Sequence, residues 1–346
     1  MKEKYLFIIL CLLFTYVAFS QDCTTQRTMS NDTSICLGQS TTISLQSSEF
    51  GITYQLRNGA VNVGLPVLST GGVINFNVSP TTTTTYSVYV IICGMTYIDT
   101  CTVTVNPIPN VVASNNNQTI CSNNAIATMI LSGNVSGTAF NWTRNNTVNV
   151  TGISNSGSGN IAGTLVNNTN TPQTVTFTIT PTANGCSGSA ITASVLVEAQ
   201  TLGGNVTVTA PGVTPSSNIF THCHVGNGTL HLSNHIGNII RWEYSTDAGL
   251  NWTSISNTSS TYNYSGILSS TLFRAVIQNG PFCNIRYSTA SMINVIPNIK
   301  PSPVTASPAV ICNGESSVLN SESGYATSQY LANGGDFQNS NPSGWL

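Results

Sequence analysis

The sequence predicts an all-β fold, arranged as a row of tandem antiparallel β-sandwiches. Three observations lead to this prediction. Short stretches alternate apolar and polar residues, which is the period of half-buried strands. Thr and Val are abundant and Gly- or Asn-rich breaks recur, so helix signals are scarce. Finally, a Cys–aromatic–Cys frame occurs three times along the chain.

The composition excludes several classes of protein. Only 6% of the 346 residues are charged, against roughly 25% in an ordinary soluble protein. Disorder is not expected, because 40% of the residues are hydrophobic and they are patterned. The formal net charge is −2 with no long basic or acidic run, so we expect no nucleic-acid partner.

Residues 1–20 have the features of a secretory signal peptide. Lys2 and Lys4 begin the segment, residues 5–18 are apolar, and small residues occupy the −3 and −1 positions before Gln21. After cleavage no second apolar segment remains that could span a membrane. We therefore expect a secreted or cell-surface location, where the nine remaining cysteines meet an oxidising compartment.

The repeated frame divides the mature chain. Its separations are 18 and 39 residues for Cys36, Tyr54 and Cys93, 21 and 44 for Cys121, Trp142 and Cys186, and 19 and 41 for Cys223, Trp242 and Cys283. About seven short strands per hundred residues around such a frame indicate immunoglobulin-like sandwiches. The predicted domains are residues 21–107, 108–200 and 201–298, followed by a fourth, incomplete β module at 299–346.

The predicted strands follow from alternation in each domain. The first has Thr41–Leu45, Ile74 with Phe76 and Val78, Tyr86–Ile91, and Val103 with Val105; the second has Phe140 with Trp142, Val175 with Phe177 and Ile179, and Ile191–Val197; the third has Leu230 with Leu232, Ile240 with Trp242 and Tyr244, Phe273–Ile277, and Ile293 with Val295. We expect Tyr54, Trp142 and Trp242 to fill the three cores.

The cysteines are expected to pair within each domain. The predicted bonds are Cys36–Cys93, Cys121–Cys186 and Cys223–Cys283, with Cys23–Cys101 as an extra bond in the first domain. Because these cysteines flank strands, each bond should close the end of a sandwich. Four cysteines in the first domain allow three connectivities. Cys312 is left over, and its partner is expected beyond Leu346.

The second and third domains resemble the PKD-like and Ig-like repeats of large surface proteins that gliding bacteria export by type IX secretion. The segments that carry the resemblance are Phe140–Thr143, Ile179–Cys186 and Arg241–Gly249. It covers residues 108–298 well and the first domain loosely. The resemblance implies surface display, adhesion or spacing of other modules; it does not imply a reaction. Such proteins usually end in a sorting or gliding-motility-associated domain that this sequence lacks, so we expect an N-terminal fragment.

One turn fits a known motif. Ser245, Asp247, Gly249 and Trp252 follow the Asp-box pattern Ser-x-Asp-x-Gly-x-x-Trp of sialidase-like propellers. The carboxylate is expected to accept backbone N–H groups, the glycine to allow positive φ, and the tryptophan to cover the turn. A structural role is favoured over a catalytic one, since a single Asp-rich turn is not a catalytic dyad.

All four histidines fall within fourteen residues, at His222, His224, His231 and His235. They raise the hypothesis of a zinc site. Structural roles are favoured, because the spacing matches no standard site and Cys223 is assigned to a disulfide.

No catalytic apparatus or cofactor site is predicted. Glu243 and Asp247 lie close together, but they fit a solvated face better than an acid/base pair. No phosphate-binding loop or calcium loop is present. The tail from Asn333 to Trp345 fits either a strand of a fourth sandwich or the start of a carbohydrate-binding jelly roll.

The sequence therefore predicts a secreted modular surface protein whose β-sandwiches act as spacers and as adhesion or recognition modules. Its expected partners are surface glycans or other cell-surface proteins. The alternative is the non-catalytic, carbohydrate-binding or spacer region of a secreted polysaccharide-active enzyme.

Overall fold

The computed structural model describes residues 27–92, 95–209, 219–296, 305–307 and 318–320, and every regular element in these ranges is a β-strand. The described residues divide into two compact units. One extends to Thr201 and includes Asn279–Asn284, and the other comprises Leu202–Gln278 and the residues from Ile285 onward. The first unit holds two separate apolar cores and the second holds one. The predicted all-β fold of tandem immunoglobulin-like sandwiches is confirmed.

Several predictions fall outside the described residues. They concern the signal segment, Cys23, Cys93, Cys312 and the tail from Asn333. In the part of the chain that the structure does describe, no helix is long and apolar enough to cross a membrane.

The first sandwich packs a five-stranded sheet against a two-stranded one. Its strands are β1 (Thr33–Cys36), β2 (Thr41–Ser48), β3 (Thr53–Asn58), β4 (Val61–Leu68), β5 (Gly72–Val78), β6 (Thr84–Ile92) and β7 (Met95–Asn106). The larger sheet has the order β1-β7-β6-β3-β4, and β2 pairs with β5. Ile43, Phe76 and the fully buried Tyr54 meet between the sheets.

The second sandwich has more and shorter strands. They are β8 (Val112–Ala113), β9 (Asn117–Cys121), β10 (Asn124–Ala125), β11 (Leu131–Ser132), β12 (Ala139–Arg144), β13 (Val150–Gly152), β14 (Ser156–Ser158), β15 (Thr164–Asn167), β16 (Gln173–Ala183), β17 (Cys186–Ser187) and β18 (Ile191–Glu198). The main sheet has the order β14-β12-β16-β18-β9, with β17 paired to β16. It faces a β10-β15-β13 sheet and a β11-β8 pair across a core that includes Trp142 and Phe177.

The third sandwich repeats this plan in the second unit. Its strands are β19 (Asn205–Thr209), β20 (Ile219–Cys223), β21 (Gly226–Ser233), β22 (Asn238–Ser245), β23 (Thr253–Ile255), β24 (Thr261–Ile267), β25 (Thr271–Gln278), β26 (Arg286–Tyr287) and β27 (Ser291–Ile296). The sheets are β19-β21-β24 and β20-β27-β25-β22-β23, with β26 paired to β25. Farther along, β28 (Thr305–Ser307) pairs with β29 (Val318–Asn320).

The apolar residues that sequence alternation predicted to face inward lie inside the sandwiches, with one exception in β22. The register of β22 against β25 shifts between Ile239 and Arg241, so Ile240 forms a β-bulge and is 37% exposed. A bulge adds one residue and reverses the alternation on its N-terminal side. Ile239, rather than the predicted Ile240, therefore packs against the core that contains Trp242.

The opening strand of every sandwich pairs in parallel with the last strand. β1 pairs with β7, β9 with β18 and β20 with β27. A parallel pair ends on the same side, so each opening cysteine lies beside the C-terminal end of the last strand. Its partners in register are Asn106 for Cys36, Glu198 for Cys121 and Ile296 for Cys223.

Candidate functional site

The disulfides join neighbouring sandwiches, which corrects the predicted pairing within domains. Cys36 is bonded to Cys186, 150 residues away, and Cys121 is bonded to Cys283, 162 residues away. The Cα atoms are 5.6 Å apart in the first bond and 4.9 Å apart in the second. Both bonds lie within the first unit, because the turn that carries Cys283 belongs to it. The predicted bonds Cys36–Cys93, Cys121–Cys186 and Cys223–Cys283 are therefore wrong.

Strand direction explains the error. Cys121 lies beside Glu198 at the C-terminal end of β18, whereas Cys186 precedes the N-terminal end of that strand at Ile191. Seven residues of strand separate these ends by roughly 23 Å. A disulfide needs Cα atoms within about 7 Å of each other. Cys121 thus lies out of reach of Cys186, the turn cysteine of its own sandwich.

Each turn cysteine instead comes from a turn that contacts the end of the preceding sandwich. The Asn106 Nδ2 atom donates a hydrogen bond of 3.0 Å to the carbonyl oxygen of Asn184, two residues before Cys186. In the second case, Asn279 donates from Nδ2 to the carbonyl oxygen of Ala199 at 2.7 Å and from its backbone N–H to Thr201 Oγ1 at 3.0 Å. A disulfide between an opening cysteine and the turn cysteine of the next sandwich therefore occurs twice.

Two cysteines in the described residues carry free thiols. Cys101 is buried, and this burial is the main cause that raises the pKa of its thiol. The predicted Cys23–Cys101 bond is therefore not formed. Cys223 is free and exposed.

The three frame aromatics are anchored inside their sandwiches. Trp142 is 8% exposed and donates from Nε1 to the carbonyl oxygen of Gly159 at 3.1 Å. Trp242 is fully buried and donates to Ser259 at 2.9 Å. In both cases the acceptor lies 17 residues after the tryptophan. The buried Tyr54 hydroxyl accepts from the N–H of Glu49 at 3.0 Å.

The Asp-box turn is closed by its own side chains. Asp247 Oδ1 accepts the backbone N–H of Asn251 at 2.9 Å and the Ser245 hydroxyl at 2.7 Å. These bonds, led by the Asn251 N–H, lower the pKa of Asp247 to about 2. Gly249 has a φ of +90°, a conformation that costs little only for glycine. Trp252 covers the turn and donates from Nε1 to the Gly249 carbonyl at 3.0 Å.

A charged cluster lies beside this turn and links side chains of β22, β25 and β26. Glu243 is 4% exposed, so it is not on the solvated face that the sequence predicted. Arg241 reaches its Oε1 atom at 2.6 Å and Arg274 reaches its Oε2 atom at 2.8 Å. The guanidinium of Arg274 lies 3.9 Å from the ring centres of both Trp252 and Tyr287. We call these five residues the Arg274 cluster.

The histidines have separate environments. His222 Nε2 lies 3.0 Å from the Tyr264 hydroxyl, and burial lowers the pKa of His222 and raises that of Tyr264 to about 12. His224 is exposed, while His231 and His235 are half-buried. Within the described residues no three His, Cys, Asp or Glu side chains form a group that could hold a metal ion. The zinc hypothesis has no geometry to support it.

The third sandwich also contains an open cleft of about 400 Å³ between its two sheets. Its lining residues carry no formal charge; they are Tyr244, Thr246, Tyr262, Asn263, Ser265, Gly266, Ile267, Leu268, Ser269, Thr271 and Phe273. Tyr244 and Tyr262 are half-buried, so each ring has one part in the core and one part at the cleft. We call this site the Tyr244 cleft.

Comparison with known families agrees with this architecture. Residues 118–201 match a PKD-like domain. Residues 212–297 match a domain of unknown function (DUF8696). No curated protein matches the chain. The PKD-like match covers the sandwich built around Trp142.

Several solved multi-domain structures resemble this chain at low sequence identity. An I-band fragment of titin is 7% identical, with a TM-score of 0.48 over 79% of this chain and 97% of the fragment. A Ca²⁺-stabilised adhesin that helps an Antarctic bacterium bind ice is 13% identical, with a TM-score of 0.33 over 82% of this chain and 76% of the adhesin. For immunoglobulin domains 1–5 of Sidekick-1, the identity is 10%, the TM-score 0.30 and the coverage 80% and 58%. These TM-scores are too low to indicate function.

Sequence reasoning missed the Arg274 cluster and the Tyr244 cleft. Arg274 and Tyr287 lie far from Trp252 in sequence, and only the pairing of β22, β25 and β26 brings them together. Tyr244 was expected on the inner face of β22, but its place at a cleft depends on where the opposite strand β24 ends. Neither feature leaves a local signal in the sequence.

Proposed function

We propose that the chain is a secreted or surface-displayed modular protein, whose disulfide-linked sandwiches act as spacers and present a recognition site. The observation that carries this proposal is the linkage of one sandwich to the next through Cys36–Cys186 and Cys121–Cys283. Such bonds persist in oxidising compartments and are rare in the cytosol. They agree with the signal peptide predicted at residues 1–20 and with the PKD-like domain at 118–201.

The spacer role follows from what the bonds connect. A bond between two sandwiches does not complete a core, because each sandwich already has its own. It instead restrains the junction between them. Gliding bacteria and type IX secretion, which the sequence resemblance implies, remain part of this proposal.

Export and linkage are tested together. We would express the chain with its own first 20 residues in a Gram-negative host and determine the N-terminus of the product. A mature N-terminus at Gln21, with Cys36 bonded to Cys186 in a non-reducing digest, supports the proposal. An uncleaved, fully reduced cytoplasmic product would reject it.

The recognition role is assigned to the Tyr244 cleft. Because no charged side chain lines the cleft, it suits a neutral partner. Sugar rings pack against aromatic side chains and hydrogen-bond to hydroxyl and amide groups, which the cleft supplies through Tyr244, Tyr262 and Asn263. The proposed ligand is therefore a neutral surface glycan.

A glycan array on the mature chain tests this assignment. Tyr244→Ala is expected to weaken binding about tenfold, from the loss of one aromatic contact. Leu268→Glu, which puts a charge at the exposed rim, should also weaken it. Leu250→Glu is the matched control, because Leu250 is 83% exposed in the same sandwich and does not line the cleft. No binding to any neutral glycan would leave only the spacer role.

The cleft also favours a second candidate, a carbohydrate-binding region of a secreted polysaccharide-active enzyme. Sedimentation with insoluble polysaccharides distinguishes the two. Retention of the wild-type chain but not of Tyr244→Ala on such a polymer would favour the enzyme accessory role. Binding restricted to short cell-surface glycans would favour adhesion.

A further inference from the structure

The three opening cysteines occupy the same backbone environment. Each is the last residue of a strand that pairs in parallel with the last strand of its sandwich. In each case the following residue donates its N–H to the carbonyl oxygen opposite the cysteine. These bonds are Leu37 to Asn106 at 2.9 Å, Ser122 to Glu198 at 2.8 Å and His224 to Ile296 at 2.9 Å. Cys36, Cys121 and Cys223 are thus equivalent positions.

Two of these three equivalent cysteines form disulfides of the same kind. Cys36 and Cys121 each receive the turn cysteine of the following sandwich. Cys223 has the same local geometry but is free and exposed. Its own turn cysteine, Cys283, is bonded to Cys121 and precedes the N-terminal end of β27, whereas Cys223 lies at the C-terminal end.

We propose that Cys223 is the receiving half of a third repeat-linking disulfide. Its partner is the turn cysteine of a β-sandwich repeat that follows the third. The inference does not depend on what the Tyr244 cleft binds, and requires only an oxidising compartment.

The spacing between cysteines along the chain indicates which kind of cysteine pairs with Cys223. A turn cysteine follows the opening cysteine of its frame by 57 residues at Cys93, 65 at Cys186 and 60 at Cys283. Cys312 lies in Ile-Cys-Asn-Gly, which matches the Ile-Cys-Leu-Gly of the first opening motif, so we assign it to a receiving position. It also lies only 89 residues after Cys223, against 150 and 162 in the two observed bonds. The expected partner is therefore a cysteine about 150 residues after Cys223.

The bond forms by thiol–disulfide exchange with a disulfide oxidant such as oxidised glutathione. The Cys223 thiolate attacks one glutathione sulfur, the glutathione S–S bond breaks, and one glutathione thiolate leaves. The partner thiolate then attacks the Cys223 sulfur and releases the second glutathione. Two cysteine thiols are oxidised, one glutathione disulfide is reduced, and the two thiol protons end on the two glutathiones.

The existing chain provides the first test. Under native conditions N-ethylmaleimide should modify Cys223 at least roughly tenfold faster than the buried Cys101. A non-reducing digest should contain Cys36–Cys186 and Cys121–Cys283. A bond from Cys223 to Cys283 or Cys312 would overturn the inference.

An extended chain provides the second test. Residues 1–311 are followed by a copy of Cys121–Gln200, which places the copied Cys186 at 154 residues after Cys223. We expect a cross-linked peptide between these two cysteines, and at least a roughly tenfold loss of Cys223 labelling. Replacing the copied Cys186 by Ser is the matched control and should restore labelling.

Two results would contradict the proposal in the extended chain. One is unchanged labelling of Cys223, and the other is a bond between the copied Cys186 and the copied Cys121. Trypsin resistance of the copy, compared with the second sandwich from which it derives, shows whether it has folded. If the copy is degraded, the measurement on the existing chain decides.

Discussion

The second and third sandwiches share one plan, and two equivalent positions have different roles in them. Both have a main sheet of six strands and a central tryptophan whose indole N–H bonds to a carbonyl 17 residues later. Two residues after the tryptophan, the second sandwich has Arg144 and the third has Tyr244. The opening cysteine is bonded in the second, at Cys121, and free in the third, at Cys223.

The first difference is between a buried arginine, Arg144, and a tyrosine that lines a cleft, Tyr244. Arg144 is 9% exposed and donates to the carbonyl oxygens of Ile153 at 2.8 Å and Val150 at 3.1 Å. Its burial lowers the pKa of its guanidinium. Tyr244 occupies the matching position and lines the Tyr244 cleft. The same position of the frame thus holds a buried arginine in one sandwich and a cleft-lining tyrosine in the other.

The largest contrast is expected between the two opening cysteines. Cys121→Ser removes a bond that closes a loop of 162 residues, which is worth about 5 kcal/mol in the chain-entropy treatment. Cys223→Ser should change the free energy of unfolding by less than about 0.5 kcal/mol. Urea unfolding of both variants measures the difference. Equal losses would show that the two positions are not distinguished by their bonding.

Substitutions of the two central tryptophans should destabilise the two sandwiches to a similar extent. Trp142→Ala and Trp242→Ala are each expected to destabilise their own sandwich by about 3–5 kcal/mol, because each removes a buried ring and leaves a carbonyl without its donor. Thermal unfolding followed by limited proteolysis would identify the sandwich affected. A small effect in one sandwich only would break the comparison.

Substitutions of Arg144 and Tyr244 should have different effects on the free energy of unfolding. Arg144→Met keeps much of the side-chain volume but leaves the Ile153 and Val150 carbonyls without their donor, at a cost of about 2–3 kcal/mol. Tyr244→Phe removes one hydroxyl at a cleft and should cost less than about 0.5 kcal/mol. Urea unfolding monitors both variants. A comparable loss for Tyr244→Phe would indicate that its hydroxyl is structural.

The smallest effect concerns a turn that the second sandwich lacks. The folded pKa of Asp247, about 2, lies below its ordinary value of 3.8. The ionised carboxylate therefore stabilises the turn above about pH 4, and this stabilisation is lost as the pH falls through about 2. The Trp252 indole N–H signal in NMR should shift over this range. Asp247→Asn should abolish the shift, and a shift that persists in this variant would assign it to another group.

The sequence predicted the features that depend on neighbours in the chain. The repeated Cys–aromatic–Cys frame marked Tyr54, Trp142 and Trp242 as core residues, and all three are buried. The Asp-box residues lie within eight positions, so their turn chemistry could be anticipated. Ile240 was misplaced because a bulge depends on the register of the partner strand, β25. Glu243 was misjudged because Arg274, 31 residues away, covers it.

By itself the sequence determined the repeated frame, its buried aromatics and the strongly alternating strands, since these follow from side-chain period and local turn chemistry. Only the tertiary structure decided which cysteine bonds to which. Evenly spaced cysteines fit pairing within a repeat or between repeats equally well. The choice was made by the parallel pairing of β9 with β18, which puts Cys121 at one end of its sandwich and Cys186 at the other.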